Sequence, residues 1–216
     1  EVVKYLDKNL PAGYQVDGNN DGIVDNLTIV LSGTSALGNT HLLWPQRQNY
    51  ILGDSIQGKR VVSFLMVFDE SNGFKLGAAN PNIPLNTGVL CHEMSHNLGT
   101  YDLYHNAKDG LNPVGVWDLM SNIQPVAQHM TAYTKWRYCH WIDSIPTIST
   151  PGTYRLNPIG GDDSTKIAYK IKPVGRREYF VIEYRKKEGF DASLPESGLI
   201  VYRVNPDLTG GNLAYN

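Results

Sequence analysis

The chain has 216 residues, a formal net charge of −2, 41% hydrophobic residues and 19% charged residues. That length suits one large domain, or one domain with a small annex, and the composition is too apolar for a disordered segment. The near-balanced charge argues against nucleic acid or an acidic membrane surface as the main partner, and no run of the sequence approaches the roughly 20 apolar residues of a membrane span.

In chain order, "EVVKYLDKNL" places Val2, Val3, Leu6 and Leu10 at helical spacing and predicts a short helix. "VDGNNDGIVDN" is a loop by composition. "LTIVLSG" and "KRVVSFLMVFD" are strand-like runs, separated by loops from "TGVLCHEMSHNLG", whose Val89, Leu90, Met94 and Leu98 space as a helix that Gly99 can end. "TAYTKWRYCHWI" reads as another helix with Thr131 as its N-cap. From Tyr154 the chain alternates strand-like runs with turns, and Val181, Glu183 and Arg185 alternate with Ile182 and Tyr184. The expected organisation is a mixed α/β part over residues 1–150 and a β-rich part over 151–216. Cys91 and Cys139 are too few for a disulfide framework; one disulfide and two buried thiols both remain open. Glu1 stands where a methionine would begin a full chain, so a mature or trimmed chain is expected, with any export signal upstream.

The stretch "LCHEMSHNLGTYDLY" carries the chemistry. On a helix His92 and His96 share a face one turn apart, so both imidazoles can reach one zinc ion. Glu93 sits beside the pair and can reach a water on that ion without ligating it, the arrangement of a metallopeptidase general base. A catalytic zinc takes three protein ligands. Gly99 can adopt a positive φ and turn the chain back, which brings Asp102 under the metal as an oxygen ligand. His105 is the rival third ligand; Asp102 is preferred because its distance from the glycine is the one such a turn requires.

With these motifs the sequence resembles the metzincin zinc peptidases, and more narrowly the immune inhibitor A family of secreted bacterial metalloproteases. "HEMSHNLGTYDLY" resembles the family's long zinc signature with aspartate third, "VGVWDLMS" its methionine-turn segment, and "QHMTAYTKWRYCHWID" the helix that follows. "YFVIEYRKKEGFDASLPESGLIVYRV" is similar to the β-rich region after it, and "VDGNNDGIVDNLTIVLSG" and "HLLWPQR" to stretches upstream of the zinc helix. The resemblance implies a metzincin-like α/β zinc peptidase domain followed by a β-rich region, protein or peptide substrates, and export to the bacterial surface or medium. It makes Met120 the residue beneath the zinc. The family's catalytic domain normally has strands and a helix before the point where this chain begins, so its front portion is expected to be missing or shortened here. Tyr101 stands where the family commonly has proline, and Cys91 is unusual before the first histidine; neither change removes a catalytic group.

Other signals are weaker. "DGNNDGIVD" has the oxygen spacing of a calcium loop, with Asp17, Asn19, Asp21 and Asp25 as side-chain donors and the carbonyl of Ile23 as a fifth. Thr28 occupies the place of the bidentate glutamate, and an Asx-rich surface turn is the alternative reading. The strand Val61 to Phe68 is the candidate for an edge that pairs with extended substrate, with Glu70 at its end. His41 and Trp44 are candidates to line the cleft, and His129 and Tyr133 to stabilise an oxyanion. The basic clusters "GRREY" and "YRKKEG" read as solvated hairpin ends. Two other functional classes fit the sequence: a zinc-containing but inactive adhesion module, and a carbohydrate-binding module suggested by the β-rich end and its tyrosines.

Overall fold

The structure is a computed structural model, and it describes residues 1–32, 45–68, 87–105, 112–124 and 126–210. His41, Trp44 and Glu70 lie outside the described residues. The chain forms two compact units, Glu1–Asn86 and Thr87–Asn216.

The first unit opens with helix α1 (Val2–Asn9), whose Val3 and Leu6, with the C-cap residue Leu10, pack with Val16, Val24, Leu27, Ile56 and Val61. Strands β1 (Thr28–Leu31), β2 (Gln46–Asn49) and β5 (Ser63–Phe68) form a sheet in the order β1-β5-β2. The short strands β3 (Ser55–Ile56) and β4 (Lys59–Arg60) make a hairpin around Gln57 and Gly58. Strand β5 runs parallel to β1 and antiparallel to β2. It therefore has partners on both sides and is the central strand. The sequence expectation of an exposed substrate-pairing edge at Val61 to Phe68 is corrected. Leu65, Met66 and Val67 are consecutive and all buried, and a continuous apolar run of this kind is the mark of an interior strand, not of an edge.

The second unit begins with helix α2 (Thr87–His96) and continues through a 3-10 turn, Gly115–Trp117, to helix α3 (Ala132–Arg137). Thr131 caps α3 as expected, its hydroxyl accepting from the Thr134 amide, but the helix stops at Arg137. Strands β6 (Ala168–Ile171), β7 (Tyr179–Arg185) and β8 (Gly198–Val204) then form an antiparallel sheet with β7 in the middle. Ala132 and Ile145 share one core with Ile159, Ala168, Tyr179, Val181 and Val204. The change of sequence character near residue 150 thus falls inside this core, while the two units divide at 86/87. Both cysteines are free thiols; Cys139 is buried with its Sγ 3.7 Å from Met130 Sδ.

Helix α2 lies close against the backbone at 123–124. A Cβ on Gly88 would stand 1.8 Å from the Gln124 carbonyl oxygen and 2.9 Å from an Ile123 methyl. Gly88→Ala forces that backbone apart, an overpacking cost of about 1–3 kcal/mol. The expected result is a lower denaturation midpoint; an unchanged midpoint would contradict this placement of α2.

Candidate metal centre

Helix α2 carries an inverted pattern. His92 and Glu93 are buried, while Met94, and Leu98 just past the helix end, are 42% and 45% exposed. Buried polar side chains beside exposed apolar ones are the informative departure on a helix. The helix ends in a Schellman arrangement: the Thr100 amide donates to the Ser95 carbonyl and the Gly99 amide to the His96 carbonyl, with Gly99 at φ +87. Among the described residues, apart from its own chain neighbours, no atom lies within 4 Å of where a Gly99 Cβ would stand. The glycine is therefore required by backbone conformation, not by space.

This turn returns the chain to the helix. Asp102 Oδ1 lies 3.0 Å from His92 Nε2 and 3.4 Å from His96 Nε2. One ligand atom from each of the three residues falls within 4.8 Å of the others, the only such group of histidine, cysteine or carboxylate side chains among the described residues. Tetrahedral bonds of about 2.0–2.1 Å to zinc put neighbouring ligand atoms about 3.3 Å apart, so the observed separations suit one small ion. The outer nitrogens agree with that use. His92 Nδ1 lies 2.9 Å from the Leu119 carbonyl oxygen and His96 Nδ1 lies 3.0 Å from that of Thr100. A carbonyl only accepts, so each Nδ1 donates to its carbonyl, which leaves each Nε2 as the nitrogen that faces Asp102 and is placed to meet an ion. Burial works to raise the Asp102 carboxyl, but the two imidazoles outweigh it and hold the group well below the ordinary carboxylate range. Burial likewise opposes the His96 shift, yet Asp102 and the Thr100 carbonyl raise its pKa. His105, the rival third ligand, stands outside the cluster.

Met120 is fully buried, and the backbone at Leu119 and Met120 is bonded to the residues of the site. Its carbonyl accepts from the Leu103 amide at 2.7 Å, next to Asp102, while the preceding carbonyl of Leu119 holds His92. Glu93 is buried and its charge acts on His96 and Tyr104. From the other side, Gly210 at φ +72 brings the backbone so near that a Cβ there would lie 3.0 Å from the Asp102 carbonyl oxygen.

The segment carrying Met120 is itself anchored by a buried polar network that sequence reasoning missed. Asp118 Oδ1 accepts from the Met120 amide, and its Oδ2 accepts from the Thr131 amide and the Thr134 hydroxyl. On β7, Glu183 accepts from the Ala132 amide and the Tyr202 hydroxyl. Arg185 donates two parallel bonds of 2.8 Å to Asp191, and further bonds to the Trp117 and His129 carbonyls. Arg185 and Glu183 are 0% exposed. The reading of "YRKKEG" as a solvated hairpin end is therefore corrected at Arg185. Its parity along β7 matches Val181, which faces the core, and strand geometry carries it inward with its partners.

His129 and Tyr133 go elsewhere. Burial, with Lys135 and Arg185 nearby, pushes His129 down to about 4, so at neutral pH it is uncharged. Its Nδ1 lies 3.2 Å from Lys135 Nζ, its ring meets Phe190, and its Nε2 faces Gly160, where a Cβ would approach within 2.1 Å. Tyr133 packs among Trp136, Tyr138 and Tyr179 and lines a cleft of about 470 Å³ with Leu103, Tyr202 and Leu208. Among the described residues neither makes a hydrogen bond, ion pair or ring contact with the side chains of His92, His96 and Asp102.

The Asp17–Asp25 loop is closed by its own hydrogen bonds. Asp17 accepts from the Asp21 and Gly22 amides, Asn19 from Asp21, Asp21 from Ile23, and Asp25 from Gly18. The cation on Asp17 is the Lys59 ammonium at 2.8 Å, whose bond lowers the Asp17 pKa. Among the described residues, the carboxylates of this loop do not gather as His92, His96 and Asp102 do.

Compared with models of protein families and with curated proteins, the sequence gives no match.

Proposed function

We propose that this chain is a zinc-dependent metalloendopeptidase of metzincin type, akin to the immune inhibitor A family, and that its substrates are polypeptides. The observation that carries the reading is the meeting of His92 Nε2, His96 Nε2 and Asp102 Oδ1 beside the buried Glu93. A bound zinc ion supplies Lewis acidity there, lowering the pKa of water and polarising a carbonyl. His92, His96 and Asp102 would hold the ion; the carbonyls of Leu119 and Thr100 would fix the two imidazoles in the tautomer that can do so. Glu93 takes a proton from the water that attacks the scissile carbonyl and delivers it to the departing amine nitrogen. Met120 forms the buried floor and its carbonyl tethers the third-ligand loop. The buried carboxylate at Glu93 favours an enzyme over an adhesion module, which would need zinc but no base. Export to the bacterial surface or medium belongs to the same proposal and rests on the motif likeness alone.

The test is hydrolysis of denatured casein by the purified chain. The expected activity is abolished by a chelator and returns with zinc. Activity indifferent to chelation would contradict a metal-dependent mechanism, and no cleavage by the zinc-loaded chain would return the adhesion-module reading to the front.

A further inference from the structure

The second unit contains an open strand edge. In the sheet of order β6-β7-β8, strand β7 lies on one side of β8, and among the described residues no strand or isolated bridge pairs with the other side. The phase of the ladder shows which groups that edge presents. In an antiparallel pair the amide and carbonyl of one residue point to the same side, and the side alternates along the strand. The Tyr184 carbonyl accepts from the Ile159 amide, away from β8. Tyr184 and its partner Leu199 are therefore not bonded to each other, nor are Ile182 and Val201, nor Phe180 and Arg203. Strand β6 gives the same phase. The Lys170 amide and carbonyl bond to Pro146 and Ile148 on the side away from β7, so Val181, across from Lys170, turns to β8 and pairs with Tyr202. The amides and carbonyls of Leu199, Val201 and Arg203 thus point outward from the sheet. Edges in native proteins are commonly blunted by proline, lysine or a bulge. Strand β8 has an unbroken register, no proline and no lysine, and Leu199 and Val201 are exposed.

A groove follows this edge. A cleft of about 420 Å³ is lined by Leu199, Ile200, Val201 and Tyr202 on one side and by Val114 and Trp117 on the other. Neighbouring residues of a strand face opposite ways, so four in a row line one cleft only along the strand's edge. The cleft of about 470 Å³ described above continues it through Arg203, Val204 and Asn205, and the two share Pro113, Val114, Thr131 and Tyr202. Its far end is at Leu103 and Gly210, the residue after Asp102 and the one packed on the Asp102 carbonyl. We propose that the outer edge of β8 is a docking site for an extended stretch of the polypeptide substrate, which joins the sheet as a further strand in a groove that leads to Asp102. This rests on the peptidase reading above. Open main-chain amides and carbonyls recognise the main chain of an extended peptide whatever its side chains, and the continuity of the groove with the third-ligand loop ties this edge to the reaction.

The experiment is fluorescence anisotropy of a labelled octapeptide of alternating threonine and valine, with the zinc-loaded Glu93→Gln chain as parent so that the peptide is not cut. The second probe is the same octapeptide with N-methyl groups on its two central residues, which block both of its edges. The variant is Val201→Pro in that parent. Proline removes the outward Val201 amide, a place where an edge strand tolerates it, and the ladder to β7 stays whole. The proposal expects Val201→Pro to bind the octapeptide about tenfold more weakly, the scale of one lost hydrogen bond. It expects the N-methylated octapeptide to bind the parent at least as weakly, and Val201→Pro with Glu93 intact to show a raised KM for casein. Equal affinity of the parent for the two octapeptides would overturn it, as would a folded Val201→Pro that binds like its parent. If Val201→Pro does not fold, the pair of octapeptides decides alone. A dimer in sedimentation that becomes a monomer in Val201→Pro, with neither octapeptide bound, would give the edge to a second copy and overturn the proposal. Zinc-dependent casein cleavage with the same KM in Val201→Pro would refute the edge and leave the peptidase reading standing. Octapeptide binding that is lost in Val201→Pro, with no casein cleavage by the wild type, would support the edge as a peptide site and remove the peptidase reading.

Discussion

Glu93→Gln is expected to keep zinc at the wild-type stoichiometry and to lose casein hydrolysis by at least about 10²–10⁴-fold, the scale of a removed general base. The amide has nearly the shape of the carboxylate, so the packing of α2 is preserved. Glu93 is no member of the ligand cluster, which is His92, His96 and Asp102; metal content therefore has no reason to change. What the amide lacks is a basic oxygen to take the proton from water and return it to the amine. The two readouts separate the roles cleanly. Hydrolysis at the wild-type rate in Glu93→Gln would refute the assignment of the base, and loss of zinc in that variant would place Glu93 among the ligands instead.

Arg185→Met is expected to lower stability by about 3–5 kcal/mol, because removing one partner of a buried ion group leaves charges uncompensated. Arg185 and Glu183 are 0% exposed and Asp191 is 1% exposed. Without the guanidinium, Asp191 loses both bonds of its fork and Glu183 a neighbouring charge at 3.3 Å. At about 2–4 °C per kcal/mol for a chain of this size, the thermal midpoint falls on the order of 10 °C. Arg185→Lys does not restore it, since an ammonium cannot make two parallel bonds to a carboxylate. The damage reaches the candidate metal centre as well. Arg185 holds the carbonyls of Trp117 and His129, the two sides of the segment that contains Leu119 and Met120. A midpoint within about 2 °C of wild type, a loss of less than about 1 kcal/mol at that scale, would show the network to be dispensable.

The local parts of this site were legible in the sequence because they rest on local rules. The i, i+4 spacing of His92 and His96 needs only helical periodicity, and the Gly99 turn needs only a residue tolerant of φ +87. Asp102 follows from the distance to that turn. Thr131 announced itself as an N-cap in the same way. What the sequence hid are contacts between distant residues. Arg185 and Glu183 are charged types on a strand, and residue type alone argues for solvent; their parity with Val181 pointed inward, but the partners that make burial tolerable, Asp191, Ala132 and Trp117, cannot be read from spacing. Strand β5 was misplaced for a related reason. An edge and a centre differ in neighbours, and only the unbroken apolar run from Phe64 to Phe68 hinted at the centre.

The central claim is that His92, His96 and Asp102 hold one zinc ion. Elemental analysis of the chain, purified without added metal and then offered zinc and dialysed, tests it most directly, with His96→Ala treated alongside. The account predicts about one zinc per chain in the wild type, as expected of a three-ligand catalytic site, and its loss in His96→Ala. Wild-type protein that remains without zinc after the offer, or a His96→Ala variant that keeps it, would contradict the account.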